Sequence, residues 1–153
     1  MELLKNLNEA EVTQMQDAIA YITILVAGAD DKIQAEEIAA AEKLTQIRSF
    51  KYHDEMKPYY EAVNATLTTR INELLDALPT EVTARQEAIS GELEKLNPIL
   101  AKMDLHRGHV FYETFLSFAK HVANAAGGFI GFVKINAEEK KVIDLPMITP
   151  IAE

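Results

Sequence analysis

The sequence predicts an all-α fold, a bundle of about six to seven helices with two related helix–loop–helix halves packed together. Three observations carry this expectation. Apolar residues recur at helical spacing through long stretches, and no run alternates apolar and polar residues as a half-buried strand would. Breaking and capping residues punctuate these stretches at Gly28, Pro58, Pro79, Pro98, Gly127, Gly128 and Pro146. The hexapeptide KIQAEE, Lys32 to Glu37, returns as KINAEE, Lys134 to Glu139, each time after a long apolar helix carrying Val-Ala. One helix–loop–helix copy cannot cover its own apolar face, so the two copies are expected to pack against each other.

The first helix is expected from Asn8, which opens NEAE with Glu11 in the capping-box position, to Ala27, with Gly28 as its stop. At helical spacing Val12, Met15, Ile19, Ile22 and Val26 fall on one face, which must pack against something. A second helix, rich in Ala and Glu, is expected from Gln34 to Arg48. Asp54 can cap the third, with Pro58 tolerated in its first turn and Tyr59 to Leu78 uninterrupted. Pro79 stops that helix and Thr80 can cap a fourth, which runs towards Met103, weakened at Gly91 and broken or kinked at Pro98. A fifth spans Leu105 to Ala126 and ends at Gly127 and Gly128. A sixth starts at Asn136, with Glu139 at its capping-box position; Pro146 and Pro150 end it and fray the tail. The result is one domain of residues 1–153, with related halves at about 8–49 and 105–146 and a helical insert at about 54–103.

Composition narrows the function classes. Hydrophobic residues make up 48% of the chain, enough for a core, and the formal net charge is −9 with a pI of about 4.9. Such a surface opposes binding to nucleic-acid phosphates and docking on anionic lipid, and it leaves cations or basic partners. There is no cysteine, which excludes disulfides, thiol nucleophiles and Cys-type zinc sites. The start, MELLKNLNEAE, lacks the basic-then-apolar pattern of a signal peptide, and the most apolar window, AIAYITILVAGA, is too short to span a bilayer. A cytoplasmic protein without membrane insertion is therefore expected. No G-x-S-x-G, H-E-x-x-H or Gly-Lys-Ser/Thr ending occurs, so the expectation is a protein that is not an enzyme.

Three stretches are candidate sites. In AGADDKIQAEE, Ala27 to Glu37, the carboxylates of Asp30 and Asp31 lie just past the carbonyls of a helix end and offer a site for a divalent cation. This is not an EF-hand. With Glu37 at the twelfth loop position, the first and third fall on Val26 and Gly28, and Asp31 takes the place of the turn glycine. The same carboxylates precede a helix N-terminus, where negative charge is favourable, so a solvated turn with a capping glutamate also explains them without a ligand. In GGFIGFVKIN, Gly127, Gly128, Phe129, Ile130 and Phe132 make an apolar, glycine-rich loop. It either folds back into a groove between the halves or forms a patch for a protein partner or a second copy of the chain. In the fifth helix His106, His109 and Glu113 recur about one turn apart on one face and could ligate zinc. Phe111, Phe115, Phe118 and Val122 lie opposite, so an ordinary amphipathic helix accounts for the same pattern.

Together, ILVAGADDKIQAEEIAAAEKL, residues 24–44, and HVANAAGGFIGFVKINAEEKKVIDL, residues 121–145, resemble the two signatures of the TerB-like family of tellurite-resistance proteins. One signature is an apolar helix, an acidic turn, then Ile and Glu-Glu; the other is a Gly-Gly helix end leading to Ile and Glu-Glu. The resemblance implies an all-helical bundle with two related halves, in a cytoplasmic, mostly bacterial protein linked to metal or oxyanion stress. It places the family's metal-binding carboxylates at Asp30, Asp31 and Glu37. The chain departs from the pattern where Asp31 replaces the usual glycine, and where Phe132 and Val133 replace acidic or small polar residues. The expectation is a non-enzymatic helical module that binds a divalent cation or a protein partner. The alternative is a structural protein that acts through the apolar loop and acidic surface.

Overall fold

A computed structural model describes residues 2–29, 33, 35–125 and 140–153. After a short 3-10 turn at Glu2–Leu4 come α1 (Glu9–Ala27), α2 (Ala35–Arg48), α3 (Lys57–Ala77), α4 (Val82–Glu94), α5 (Leu96–Lys102) and α6 (Leu105–Asn124). The protein is an all-α bundle, with no strand among the described residues. None of the described helices is long and apolar enough to cross a membrane.

The helix ends follow local chemistry, with three departures from the expected boundaries. The capping box of α1 forms as expected: Glu11 N–H donates to Asn8 Oδ1 at 2.9 Å and Asn8 N–H to Glu11 Oε1 at 3.0 Å. Asp54 does not cap α3. A turn closed by the Met56 N–H on the His53 carbonyl at 2.9 Å precedes the helix and puts Met56 at the cap position, while Asp54 pairs with Lys57 at 3.3 Å. Thr80 does not cap α4, because the Glu81 carboxylate takes the N–H groups of Thr83 at 2.7 Å and Ala84 at 3.0 Å and adds a charge favoured at a helix start. The break between α4 and α5 falls at Lys95, not at Pro98. Proline has no N–H for the carbonyl four residues back and clashes with it, so the old helix must end about a turn earlier and Pro98 enters the first turn of the new one.

α1 is the centre of the bundle and packs against α2, α3, α4, α5 and α6. Of the expected stripe Met15, Ile19, Ile22 and Val26 are buried and Val12 is half-buried, but Ala18, Ala20, Ile24, Leu25 and Ala27 are buried too, so the second half of α1 is covered on all sides. Its buried Thr23 hydroxyl is satisfied within the helix by donating to the Ile19 carbonyl at 2.7 Å. On the first half, where a polar side remains, Arg70 of α3 grips Asp17 in a two-pronged pair at 2.9 and 3.0 Å. α6 meets this core through Phe111, Phe115, Phe118 and Val122, all fully buried, as its aromatic stripe predicts.

Residues 126–139, which carry the second glycine-rich loop and the start of the expected sixth helix, lie outside the described residues. Beyond them only Lys140 is helical and residues 141–144 are turns. The following segment is docked rather than frayed, because its apolar side chains and backbone find partners. Leu145 and Ile148 are fully buried, and Asn97 of α5 donates to the Met147 carbonyl at 3.0 Å and accepts from the Thr149 N–H at 2.8 Å. Leu145 sits at φ 46°, a left-handed conformation that costs a non-glycine residue about 1–2 kcal/mol and is offset here by burial of its side chain.

The carbonyl end of α1 is closed by α4. Arg85 donates to the Gly28 carbonyl at 2.7 Å and to the Thr80 carbonyl at 3.1 Å, and Gln86 reaches the Ala29 carbonyl at 3.3 Å. A Cβ on Gly28 would lie 2.8 Å from the Arg85 guanidinium and 2.9 Å from the Ile24 carbonyl, so this approach admits only glycine. Gly28→Ala is therefore expected to lower the urea midpoint, and a midpoint equal to wild type would contradict this packing. Ile22→Ala is expected to cost about 2–5 kcal/mol in the same denaturation, as for other fully buried isoleucines.

Candidate functional site

At its last turn α2 delivers Arg48 into the protein, where only 8% of the residue remains exposed. Its partners are hydroxyls. Nη1 donates to Tyr60 Oη at 2.8 Å and Thr114 Oγ1 at 3.2 Å, and Nη2 donates to Ser117 Oγ at 3.0 Å. The guanidinium also lies 4.4 Å from the Tyr52 ring centre, 5.3 Å from that of Tyr60 and 5.7 Å from that of Phe118. Among the described residues no carboxylate pairs with it. The carbonyl end of α2 supplies partial negative charge, but a buried arginine ordinarily takes a full anionic partner. Nearby His121 does not fill that role; burial first, and then the charge of Arg48, hold its pKa below the usual 6.5.

The hydroxyl protons can be assigned by counting. Thr114 Oγ1 has Arg48, Tyr60 at 2.8 Å and Tyr52 at 3.0 Å as partners, yet a hydroxyl has one proton and two lone pairs. Arg48 can only donate, so one tyrosine must donate and the other accept. Tyr60 is fully buried and already accepts from Arg48, so its proton has to go to Thr114 or remain unsatisfied. Tyr52 then accepts from Thr114, and its own O–H has no acceptor among the described residues. Burial raises the Tyr60 pKa to about 12 despite Arg48, which keeps this donor protonated. Ser117 accepts from Arg48 and donates to the Thr114 carbonyl at 3.1 Å.

Tyr52, Thr114 and Ser117 form one end of an open cleft of about 400 Å³ between the 49–56 link, α6 and the segment ending at Glu153. Glu55, His109, Glu113 and Glu153 form the other end. His109 Nδ1 lies 2.7 Å from the Ile151 carbonyl, which only accepts, so Nδ1 carries a proton. Its Nε2 faces Glu153 at 3.8 Å and Glu113 at 3.9 Å. His106 stands beside this end with Nδ1 2.8 Å from Glu153 and Nε2 3.1 Å from Glu55. A second cavity, of about 470 Å³, is lined largely by apolar groups, including Leu100, Met103, Leu105 and Ile151.

The sequence-predicted residues fare unevenly. His106, His109 and Glu113 do share one side of α6, yet the nitrogens of His106 are taken by glutamates, and Nδ1 of His109 by a carbonyl. Among the described residues no group of three or more His, Cys, Asp or Glu is placed to hold a metal ion. Of the first acidic turn, Asp30 and Asp31 lie outside the described residues, and Glu37 is 1% exposed in the first turn of α2. The helix-end carbonyls expected beside a cation there are engaged by Arg85 and Gln86. The loop residues Gly127, Gly128, Phe129, Ile130 and Phe132 also lie outside the described residues. Sequence reasoning missed Arg48, Tyr52 and Thr114, which come from three separate segments.

The His106–Glu153 pair gives the docked segment a pH dependence. Its hydrogen bonds to Glu153 first, and then to Glu55, raise His106 above the usual 6.5, so its contribution is complete below 6.5 and fades as pH rises through the raised value. The bond from His106 lowers Glu153 below the usual 4.5, so that contribution is complete above 4.5 and fades as pH falls through the lowered value. Hydrogen-exchange protection of the Thr149 and Ile151 amides is expected to be greatest between about pH 5 and 6. His106→Ala should flatten that dependence, and an unchanged profile would contradict the pairing.

No family model, curated protein or solved structure matches this chain.

Proposed function

We propose that the protein is a non-enzymatic helical binding module that takes a small ligand in the cleft between the 49–56 link and α6. The observation that carries this reading is the buried Arg48, met by hydroxyls and aromatic rings but by no carboxylate among the described residues, behind an open cleft of about 400 Å³. That volume lies within the range of small-molecule sites. An unneutralised buried cation costs stability, and a site that needs its charge for a ligand explains why the cost is retained. A binding role rather than a catalytic one is supported by Ser117, whose proton goes to a backbone carbonyl and not to an imidazole.

A second reading follows from the TerB-like motifs: a divalent cation held by Asp30, Asp31 and Glu37 in a cytoplasmic stress-related protein. The near-complete burial of the Glu37 carboxylate favours it, since a purely solvated turn would leave that group outside. Calorimetric titration with calcium, zinc and manganese tests it; binding lost in Asp30→Asn/Asp31→Asn supports the cation, and no binding to wild type removes it. A protein partner or second copy seated on the apolar glycine-rich loop is the third proposal, and sedimentation at high concentration tests self-association.

For the cleft, amide NMR of the protein with a library of small polar fragments is the direct test. Shifts are expected to cluster at Tyr52, Thr114 and Ser117. Shifts confined to Leu100, Met103 and Ile151 would move the site to the apolar cavity and overturn the reading.

A further inference from the structure

We infer that residues 149–153 occupy, in cis, a groove on α5 and α6 that takes a segment of a partner protein of the form proline, large apolar residue, any residue, acidic residue. Residues 149–153 can leave without disturbing the core. Leu145 and Ile148 before them are fully buried, but Thr149, Pro150, Ala152 and Glu153 are exposed and Ile151 is half-buried. The polar contacts of this strap are mostly to its backbone. Asn97 accepts from the Thr149 N–H at 2.8 Å, and His109 Nδ1 donates to the Ile151 carbonyl at 2.7 Å. Thr149 precedes a proline, which favours an extended backbone. Two side chains add selectivity. Ile151 rests on Gly108, where an added Cβ would lie 3.3 Å from its Cδ1, and Glu153 meets His106 at 2.8 Å. Backbone bonds for affinity and side-chain seats for selectivity are the division of labour in recognition of an extended peptide.

The strap leaves its seat partly empty. Beside Ile151 the apolar cavity of about 470 Å³ stays open, lined by Leu100, Met103, Leu105 and Gly108 among others. Leu105 on its wall is 61% exposed, apolar surface that the strap does not cover. A partner segment can remake each polar contact of the strap, so exchanging one for the other leaves the hydrogen bonding nearly unchanged. The difference lies in the apolar side chain. A phenylalanine in place of the isoleucine extends further into the cavity and buries more of its wall. The strap keeps the advantage of its tether, an effective concentration on the order of millimolar, and the larger side chain is what lets a separate segment compete. The chain's net charge of −9 adds a preference for basic residues outside the motif.

Fluorescence anisotropy with the full chain tests the inference. The probe is a capped, labelled peptide of residues 147–153 with phenylalanine in place of Ile151. It is expected to bind about tenfold tighter than the same peptide with its native isoleucine, and about tenfold tighter than one with glutamine in place of Glu153. Binding should also remove hydrogen-exchange protection from the chain's own Thr149 amide. Ile151→Ala in the chain, which loosens the strap, should tighten binding of the probe. Ile151→Phe, which fills the cavity in cis, should weaken it. Equal affinity for the phenylalanine and isoleucine peptides would overturn the inference, as would binding to neither wild type nor Ile151→Ala. Binding that leaves the Thr149 amide protected would place the peptide elsewhere and overturn it too. Sedimentation as a dimer that the peptide dissociates would make a second copy the occupant and overturn the partner protein.

Discussion

The second half of α1 has no polar side. From Ala18 to Ala27 every residue but Tyr21 is buried, so this stretch is stable only if other helices enclose it completely. The fold is the solution to that constraint. α2, α3, α4, α5 and α6 all pack on α1, and α4 reaches the carbonyls at its end through Arg85 and Gln86. Enclosure leaves the polar groups of α1 to be answered from inside. The Thr23 hydroxyl bonds its own helix, and Arg85 brings a positive charge to the carbonyls at the end of α1. That charge is what a helix C-terminus favours, and it makes an added cation there less necessary.

The cleft grows out of the same enclosure. α2 and α6 must both press against the core, and where they meet at the rim the chain turns through residues 49–56 to start α3. Arg48 is the last residue of α2 and is largely buried, and its charge is spread over hydroxyls and rings of α3, α6 and the 49–56 link. A glutamate at the place of Thr114 would have neutralised it and closed the network. With threonine there, the network instead ends in a donor that faces the cleft.

Much of the fold was legible in the sequence because single helices announce themselves locally. The Asn8–Glu11 box, the Gly28 stop and the aromatic stripe of α6 each depend on residues within a few turns of one another, and each is present as expected. The errors at α3, α4 and α5 also have local causes, but they come from competition between neighbours: Glu81 outreaches Thr80, and Pro98 acts on the turn before it. The site was not legible. Arg48 reads as a routine basic residue at a helix end, Tyr52 sits in a linker, and Thr114 hides within an amphipathic stripe. Nothing in their spacing says that they meet. The histidines of α6 were visible because they share one helix, but their real partners, Glu55, Glu153 and Ile151, arrive from elsewhere in the chain.

The central claim is that Arg48 is a fixed, internally solvated charge whose unmet demand is presented to the cleft. The most direct measurement is the NMR spectrum of its guanidinium Nη–H groups in the free protein. Hydroxyl partners at 2.8, 3.0 and 3.2 Å should stop rotation of the group, so the expected result is separate, slowly exchanging Nη1 and Nη2 resonances. A single averaged resonance in fast exchange with water would show a mobile, hydrated arginine and contradict the claim.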